Sequence, residues 1–368
     1  MTRTRAEDAC PGALQVHRAA DGALVRVRLP GGIISVAQLA VLAQTSAQFG
    51  SGTLELTARG NLQIRGVTDP APVADALTAA GLLPSATHER VRNIVASPLT
   101  GRVGEWPDVR GWITGLDAAI QAEPVLAQLS GRFWFSIDDG RADVSGLAAD
   151  VGAHAVDGGA TLLLAGRDTG VRLAAADVIP TMVRIAKRFV EVRGTAWRIA
   201  ELSHAGALLP GAETGPGFEP VTRAPVGWIK QDDGRITLGA GVPLGSLPAR
   251  VAEFLAAIEA PLVVTPWRSV LVCDLDEGVA DVALRVLAPL GLVFDDASPW
   301  LSVSACTGTP GCELSAADVR ADAAAVAESG ENAAHHRHFV GCERACGAPP
   351  AGEVLVATGD GYRALRLG

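Results

Sequence analysis

Apolar and polar residues alternate in two separate parts of the chain, and the same order of strands and helices is predicted in each. Period-two alternation indicates strands, whereas apolar residues three and four positions apart indicate helices. The first part gives strand, helix, strand and helix over residues 22–31, 36–49, 54–64 and 73–82. The second part repeats them over residues 235–242, 246–259, 262–274 and 279–290. We therefore expect a duplicated α+β architecture, with a chance similarity of two βα units as the alternative.

Individual residues support the duplication. Thr57 and Thr265 occupy matching positions in the second predicted strand of each part, which sets a repeat distance of 208 residues (265 minus 57). Ser246 opens the first predicted helix of the second part as its N-cap.

A middle segment with its own pattern separates the two parts. It predicts strands at 133–137 and 161–164, helices at 112–123 and 176–192, and a hairpin turn at Gly158-Gly159. Residues 209–225 are rich in proline and glycine, which is typical of a linker. The predicted domains are therefore residues 10–83, 84–208, 226–296 and 297–368, with the linker at 209–225.

Composition narrows the class of protein. Hydrophobic residues make up 48% of the 368 residues, enough for well-packed cores. No signal peptide and no apolar stretch of membrane-spanning length is found, so we expect a cytoplasmic protein whose thiols stay reduced. The net charge of −9 argues against a nucleic-acid partner. Only two of the 31 basic residues are lysines, so arginine is the usual cation of this chain.

Four cysteines near the C-terminus form two short pairs. Five residues separate Cys306 from Cys312, three separate Cys342 from Cys346, and 29 lie between the pairs. Four thiolates from two loops suit an iron–sulfur cluster, and glycines beside them let the backbone approach sulfide. The first spacing is too wide for a common zinc site. The alternative is a set of buried or disulfide-bonded cysteines. The remaining two, Cys10 and Cys273, are expected to be packing residues or free thiols.

Polar residues recur at alternate positions of the strand predicted at 54–64 and just beyond it. This row predicts one polar face, which by default is solvated, but its mixture of guanidinium and amide groups also suits carboxylates. The row consists of Arg59, Asn61, Gln63 and Arg65. Further basic and amide groups lie at Arg26, Arg28, Arg90, Arg92 and Asn93. We found no dinucleotide-binding glycine motif after a strand, so a nicotinamide cofactor is not expected to bind directly.

Three histidines, His335, His336 and His338, precede Cys342. Neutral imidazole binds iron, so a mononuclear metal site is one interpretation. An exposed polar loop is the other, because no carboxylate lies at a spacing that would complete such a site.

Several segments together resemble the nitrite and sulfite reductase superfamily. They are RVRLPGG at 26–32, LTARGNLQIRG at 56–66, RNIVASPLTG at 92–101, CTGTPGC at 306–312 and GCERACGAP at 341–349. The resemblance implies two ferredoxin-like half-domains and two α/β domains that bind a cluster and a tetrapyrrole, related by pseudo-twofold symmetry. It also implies that Cys306, Cys312, Cys342 and Cys346 ligate a 4Fe–4S cluster. In the sirohaem enzymes the last thiolate bridges to the sirohaem iron.

Members of this superfamily that reduce anions surround the anion with two arginines and two lysines. Here Arg59 and Arg92 match the arginines, and Arg132 takes the place of one lysine. Trp134 falls where the other lysine is expected, and an indole carries neither positive charge nor a transferable proton. The resemblance therefore implies that Arg59, Arg92 and Arg132 are catalytic, but reduction of an oxyanion is less well supported.

One branch of the superfamily resembles the chain better, because it shares Cys-Pro-Gly-Ala-Leu at 10–14 and Gly-Cys-Glu-Arg-x-Cys-Gly at 341–347. That branch implies a monooxygenase of aerobic cobalamin biosynthesis, which uses dioxygen and electrons to hydroxylate precorrin-3A and form a γ-lactone. A ferredoxin or flavoprotein would supply electrons, and a further non-haem iron would have the three histidines as candidate ligands. Substrate carboxylates would be held by Arg26, Arg28, Arg59, Asn61, Gln63, Arg65, Arg92 and Asn93. The alternatives are a sirohaem-dependent assimilatory sulfite or nitrite reductase, and a non-catalytic electron carrier or tetrapyrrole-binding chaperone.

Overall fold

The computed structural model describes residues 8–203, 205–330 and 335–365. They fall into two compact units. The middle unit comprises residues up to Gly12, Arg28–Gly32 and Leu83–Val221, and the duplicated unit comprises Ala13–Val27, Ile33–Leu82 and the chain from Thr222 onward. The five-part division expected from the sequence stays a prediction. None of the described helices is long and apolar enough to cross a membrane.

The first copy in the duplicated unit begins with a three-residue strand and follows the predicted order. Its elements are β1 (His17–Ala19), β2 (Gly22–Val27), β3 (Ile33–Ile34), α1 (Val36–Phe49), β4 (Thr53–Leu56), β5 (Leu62–Val67) and α2 (Pro70–Ala79). Helix α1 has the predicted bounds. It starts at a capping box in which the Ser35 hydroxyl accepts from the Gln38 amide and the Gln38 side chain accepts from the Ser35 amide.

The described residues of the middle unit form one five-stranded sheet and two α-helices. Its elements are β6 (Ile94–Ala96), α3 (Arg110–Ala122), β7 (Phe135–Asp138), β8 (Val151–Val156), β9 (Gly159–Leu164), β10 (Arg167–Ala174) and α4 (Val178–Val192). The predicted hairpin turn is confirmed, because Gly158 joins β8 to β9 with a φ of 76°. In the core, the ring of Phe133 lies 4.9 Å from that of Phe189 on α4 and 5.3 Å from that of Phe135.

The second copy repeats the first. Its elements are β11 (Gly227–Lys230), β12 (Ile236–Gly241), β13 (Ser246–Pro248), α5 (Ala249–Ala256), β14 (Leu262–Val264), β15 (Ser269–Leu275) and α6 (Glu277–Leu287). The prediction that Ser246 caps a helix was wrong. Ser246 lies on β13, and α5 begins only after Pro248, which is tolerated at a helix start but not inside one.

The two copies exchange one strand each. The first sheet has the order β1-β2-β5-β4-β13 and the second has β11-β12-β15-β14-β3. Strand β13 of the second copy thus pairs with β4 of the first, and β3 of the first pairs with β14 of the second. The identical strand order confirms the predicted duplication and shows that neither half-domain sheet is complete without the other copy.

The last part of the duplicated unit consists of β16 (Val303–Ala305), α7 (Val319–Glu328), β17 (Arg337–Val340), β18 (Glu353–Thr358) and β19 (Gly361–Leu365). Strands β16, β17 and β18 are parallel, and β19 is antiparallel to β18. Strands β6 to β9 of the middle unit have the same pattern of pairing. The duplication therefore extends beyond the half-domain sheets.

Each of the two long strands predicted at 54–64 and 262–274 is instead a hairpin, and this prediction was wrong. The Thr57 hydroxyl accepts hydrogen bonds from the amides of Arg59 at 3.3 Å and Asn61 at 3.1 Å. The Thr265 hydroxyl accepts from the amides of Trp267 at 3.3 Å and Ser269 at 3.4 Å. A threonine that bonds to its own backbone stabilises a turn rather than a strand.

The equivalence of Thr57 and Thr265 is confirmed, but in turns and not in strands. Arg59 consequently lies in the turn between β4 and β5, and Gln63 and Arg65 lie on β5. The expected single row of four side chains is broken at this turn.

Sequence analysis missed a group of aspartates at the end of β7 and in the loop that follows it. Asp138 and Asp139 are fully buried, and Arg141 forms an ion pair of 2.7 Å with Asp139. The Ser97 hydroxyl donates to Asp143 at 2.6 Å. Burial, together with the negative charge of Asp138, raises the pKa of Asp143 to about 7. Three aspartates within six residues, in DDGRAD at 138–143, are the signal that could have revealed the group.

We expect Asp143→Asn to stabilise the middle unit increasingly as pH rises. The unfolded carboxyl ionises near 3.8, but the folded one resists ionisation up to about 7. The wild type therefore loses stability as pH rises from 3.8 to about 7, by roughly 2–4 kcal/mol once the Asp143 carboxyl is fully ionised. Asparagine avoids this cost, and its carbonyl can still accept from Ser97. Thermal unfolding from pH 5 to pH 8 tests this prediction, and a difference in Tm that does not grow with pH would contradict it.

Candidate functional site

The two cysteine pairs leave the carboxyl ends of neighbouring parallel strands. Cys306 directly follows β16, and Cys342 follows β17 after one glycine. The strands are in register, with Ala305 opposite Phe339, and the Cys306 amide donates to the Phe339 carbonyl at 2.9 Å. Because parallel strands end at the same edge of a sheet, this register brings the start of both loops together.

The backbone around the thiols is closely fitted. The amide of Gly341 donates to the Cys306 sulfur at 3.3 Å. A Cβ atom at Gly341 would lie 1.8 Å from the Ser315 hydroxyl, so no other residue fits without a shift of the backbone. Gly347 has a φ of 78°, in the left-handed region that favours glycine. These glycines let two loops approach each other at the thiols.

The four thiols lie within electrostatic range of one another. Partial burial raises the pKa of Cys306, and the nearby Cys342 and Cys312 raise it further. Cys306, Cys312 and Cys342 are half-buried and Cys346 is exposed. Raised thiol pKa values mean that binding of a metal cofactor would release protons.

This donor set fits a 4Fe–4S cluster. In the described part of the chain, no three Cys, His, Asp or Glu side chains converge as ligands of a single metal ion. A cubane does not need such convergence, since each of its four thiolates binds a different iron. Four cysteines from two glycine-lined loops match that requirement.

A chain of polar contacts runs across the first half-domain sheet. Arg26 lies opposite Gln63 and donates to its side-chain oxygen at 2.9 and 3.0 Å. Gln63 in turn donates to Glu55 at 2.5 Å, and Glu55 pairs with Arg320 on α7. Gln63 and Arg26 are thus oriented by each other.

Arg65 is engaged through Nε and one terminal nitrogen, Nη2. It forms a bidentate pair with Asp21 at 2.8 and 2.9 Å, and it donates to the carbonyl of Gly311 at 2.8 Å. Arg59 is half-buried and Asn61 is buried in the turn that precedes β5. Of the predicted carboxylate-binding residues, these five (Arg26, Arg59, Asn61, Gln63 and Arg65) belong to the same unit as the cysteines.

Four further predicted residues belong to the middle unit. Arg28 is buried and donates to the backbone carbonyls of Arg90 and Pro11, both at 3.2 Å. Arg92 forms a bidentate pair with Asp117 at 2.6 and 2.8 Å. Asp117 therefore already compensates the charge of Arg92.

The side-chain nitrogen of Asn93 is engaged within the fold, because it donates to the carbonyls of Arg90, Gly131 and Phe133 at 2.9–3.2 Å. Arg132 is exposed, with its guanidinium 5.2 Å from the centre of the Trp197 ring. Trp134 is buried. Among these residues, Arg132 is the one placed to meet solvent.

The histidines do not support a second iron site. Both ring nitrogens of His338 are hydrogen-bonded, Nδ1 to the Ser304 hydroxyl at 2.7 Å and Nε2 to the Cys346 carbonyl at 3.0 Å. His336 contacts the same hydroxyl at 2.7 Å, and His335 is exposed. Burial and the charge of Arg268 lower the pKa of His336 to about 4 and of His338 to about 3. His338 is therefore a neutral imidazole that supports the second cysteine loop through the Cys346 carbonyl.

Two residues near the cysteines, Arg268 and Arg320, were missed by sequence analysis. Arg268 donates to the Gly347 carbonyl at 2.8 Å, and Arg320 donates to the Cys306 carbonyl at 3.3 Å. Aligning the two copies could have singled out Arg268, because it falls 208 residues after Gly60 (268 minus 60).

Comparisons with known proteins agree with this geometry. Residues 16–79 match the family described as the nitrite/sulfite reductase ferredoxin-like half domain. The solved structure of the Mycobacterium tuberculosis NirA protein superposes with a TM-score of 0.75, at 20% identity, over 94% of this chain and 77% of that one. The chain therefore has the fold of that protein, and its first half-domain matches the nitrite/sulfite reductase family.

Two curated relatives cover most of the chain. It is 28% identical to a precorrin-3B synthase of Sinorhizobium sp, over 96% of this chain and 81% of the relative. It is 25% identical to a ferredoxin–nitrite reductase of Synechococcus elongatus, over 90% of this chain and 75% of the relative.

Proposed function

We propose that the chain is an oxidoreductase of the precorrin-3B synthase type, which uses dioxygen and electrons to hydroxylate precorrin-3A and form a γ-lactone. The observation that carries this proposal is the similarity to a precorrin-3B synthase over 96% of the chain, together with four thiols on two neighbouring loops. Trp134 in place of a lysine argues in the same direction, since an indole cannot supply protons to an oxyanion.

Cys306, Cys312, Cys342 and Cys346 would hold the 4Fe–4S cluster. When bound, such a cluster supplies electrons one at a time. The protein's own contribution is to fix the loops and to place cationic groups near the site. A ferredoxin or a flavoprotein would be the electron donor, in line with the ferredoxin-dependent relatives.

Arg59 is the leading candidate to bind a substrate carboxylate. It lies in the turn between β4 and β5 and is half-buried, so its guanidinium is partly shielded from competing water. Arg26 and Gln63 are oriented by each other on the neighbouring strands, and Arg65 supports the first cysteine loop. In the middle unit, Arg92 and Arg132 remain proposed contributors, whereas the engaged amide of Asn93 and the buried guanidinium of Arg28 serve the fold.

We expect Arg59→Ala to weaken binding of precorrin-3A about tenfold or more while leaving the cluster intact. One charge-assisted hydrogen bond contributes roughly 1.5–3 kcal/mol when it is shielded from water. Binding is measured by titration of the purified protein, and iron and sulfide are assayed in the same preparation. The exposed Arg235→Ala serves as the control and should bind like the wild type. Unchanged affinity in Arg59→Ala would remove this residue from the substrate site.

A sirohaem-dependent nitrite or sulfite reductase is the second candidate, favoured by the similarity to ferredoxin–nitrite reductases. An optical spectrum separates the two functions, because sirohaem has strong visible bands and a cluster alone has a broad shoulder. Oxygen uptake that depends on both reductant and precorrin-3A favours the first candidate. Turnover of nitrite or sulfite by a sirohaem-containing protein favours the second.

A further inference from the structure

Three arginines donate hydrogen bonds to backbone carbonyls of the cysteine loops. We call residues 306–312 loop A and residues 342–347 loop B. Arg65 reaches Gly311 at 2.8 Å, and Arg320 reaches Cys306 at 3.3 Å, both in loop A. Arg268 reaches Gly347 in loop B at 2.8 Å. The contacted carbonyls belong to Cys306 itself, to Gly311 directly before Cys312, and to Gly347 directly after Cys346. These hydrogen bonds therefore act on the backbone that positions the thiols.

Loop A is held from the first half-domain copy. Arg65 lies on β5 and is fixed by its bidentate pair with Asp21 in the same copy. Arg320 lies on α7, but Glu55 on β4 orients it through an ion pair. Both carboxylates hold a guanidinium in a defined direction, which lowers the entropy lost on binding the loop carbonyl.

Loop B is held from the second copy by Arg268, which has an unusual backbone. Its φ is 57°, in the left-handed region, where non-glycine residues are uncommon. Gly60 takes the corresponding turn position in the first copy, with a φ of 64°. An arginine in place of glycine strains the backbone at this position. The hydrogen bond to the Gly347 carbonyl is the stabilising contact that the Arg268 side chain makes there.

The geometry points to a division of roles between the duplicated half-domains: the first copy positions loop A through Arg65 and through Glu55, which orients Arg320 on α7, and the second positions loop B through Arg268. The three arginines are positioning residues for the cluster-binding loops. This inference rests on the proposed function only in that the loops hold a cluster, since the contacts themselves involve the protein alone. Burial and the neighbouring Arg320 lower the pKa of Arg268 to about 10, so Arg268 is still cationic at neutral pH.

Hydrogen–deuterium exchange on the full chain tests this division. Arg268→Gly removes the contact to loop B and restores glycine at a left-handed position, so it should fold at least as well as the wild type. We expect amides of residues 342–348 to exchange about tenfold faster in Arg268→Gly, with residues 306–315 unchanged. Arg65→Met should show the reverse pattern. The exposed Arg235→Met is the matched control and should change neither loop.

A second measurement reports on the charge. Arg268→Lys keeps the cation, whereas Arg268→Gln keeps a donor for the Gly347 carbonyl but loses the charge. A cation beside the cluster favours its reduced, more negative form. Arg268→Gln should therefore lower the reduction potential. We expect a change of about tenfold in the one-electron equilibrium, which corresponds to about 59 mV. The reduction potential of Arg268→Lys should differ from the wild-type value by less than a third of the shift expected for Arg268→Gln.

The inference is overturned if each variant loosens both loops equally, or if neither variant loosens its own loop. A wild-type protein that cannot hold a cluster would refute the proposed cofactor. The exchange experiment would still decide the division of roles in that protein, because it needs only the polypeptide.

Discussion

Cys342→Ala is expected to abolish the iron–sulfur cluster. The wild-type chain, purified and reconstituted without oxygen, should contain about four iron atoms and four sulfides. The variant should retain less than about a tenth of them, because a cubane that loses one of four thiolates exposes an iron to solvent and is readily lost. Cys342 directly follows the glycine whose amide contacts the Cys306 sulfur, so its removal affects both loops.

The control for this experiment is Cys10→Ala. Cys10 lies in the middle unit, and its thiol donates to the Gly131 carbonyl at 3.3 Å, so it should leave the iron content unchanged. Iron, acid-labile sulfide and zinc are assayed together with the visible spectrum. Stoichiometric zinc without sulfide in the wild type would refute the cluster, and full iron content in Cys342→Ala would remove this cysteine from the ligand set.

Asp138→Ala is expected to cause the largest loss of stability in the middle unit. One carboxyl oxygen of Asp138 accepts from the amides of Gly140 and Ala142, both at 2.9 Å. The other accepts from the amides of Val144 at 3.0 Å and Ser145 at 2.9 Å. Alanine would leave four backbone donors without this acceptor in a loop that is buried at Val144 and Ser145 and half-buried at Gly140 and Ala142. We expect a loss of about 3–5 kcal/mol, or roughly 10 °C in Tm.

The pH dependence of Asp138 provides a second readout. Burial opposes its ionisation, but hydrogen bonds from His154 and the backbone amides outweigh burial and lower the pKa to about 2. A carboxyl with a lowered pKa stabilises the fold above its unfolded value of 3.8, and this stability is lost as pH falls towards 2. Asp138→Ala should therefore be closest to the wild type at the lowest pH at which both fold.

The exposed Asp177→Ala is the control for Asp138→Ala and should change stability by less than about 1 kcal/mol. Thermal unfolding followed by circular dichroism measures both variants. A decrease in Tm of less than about 3 °C in Asp138→Ala would show that water or neighbouring groups replace the carboxylate.

Local patterns in the sequence predicted a large part of the fold. Helix α1 was predicted with its final bounds because its capping residues and apolar spacing are local signals. The duplication was predictable because both copies bury the same faces of the same elements, so their apolar positions recur. The cysteine pairs could be identified because ligand type and spacing are written directly in the sequence.

Other features depend on contacts between distant residues. The alternation of apolar and polar residues continues through Thr57 and Thr265, so it does not indicate the turns at these positions. The turns are evident only from the hydrogen bonds between the threonine hydroxyls and the backbone. The exchange of β3 and β13 between sheets joins residues about 200 positions apart, which no local period encodes. Likewise, neither Arg65 nor Arg268 has a neighbour in sequence that reveals its contact with a cysteine loop.

The sequence by itself therefore determined the duplicated α+β plan, most of its helices and strands and the four cysteines that are candidate cluster ligands. The tertiary structure alone decided which arginines support the loops, which are already paired with carboxylates, and that both ring nitrogens of His338 are hydrogen-bonded. The physical reason is that periodicity reports how each element is buried, whereas the partner of a charged side chain depends on where the chain brings distant segments together.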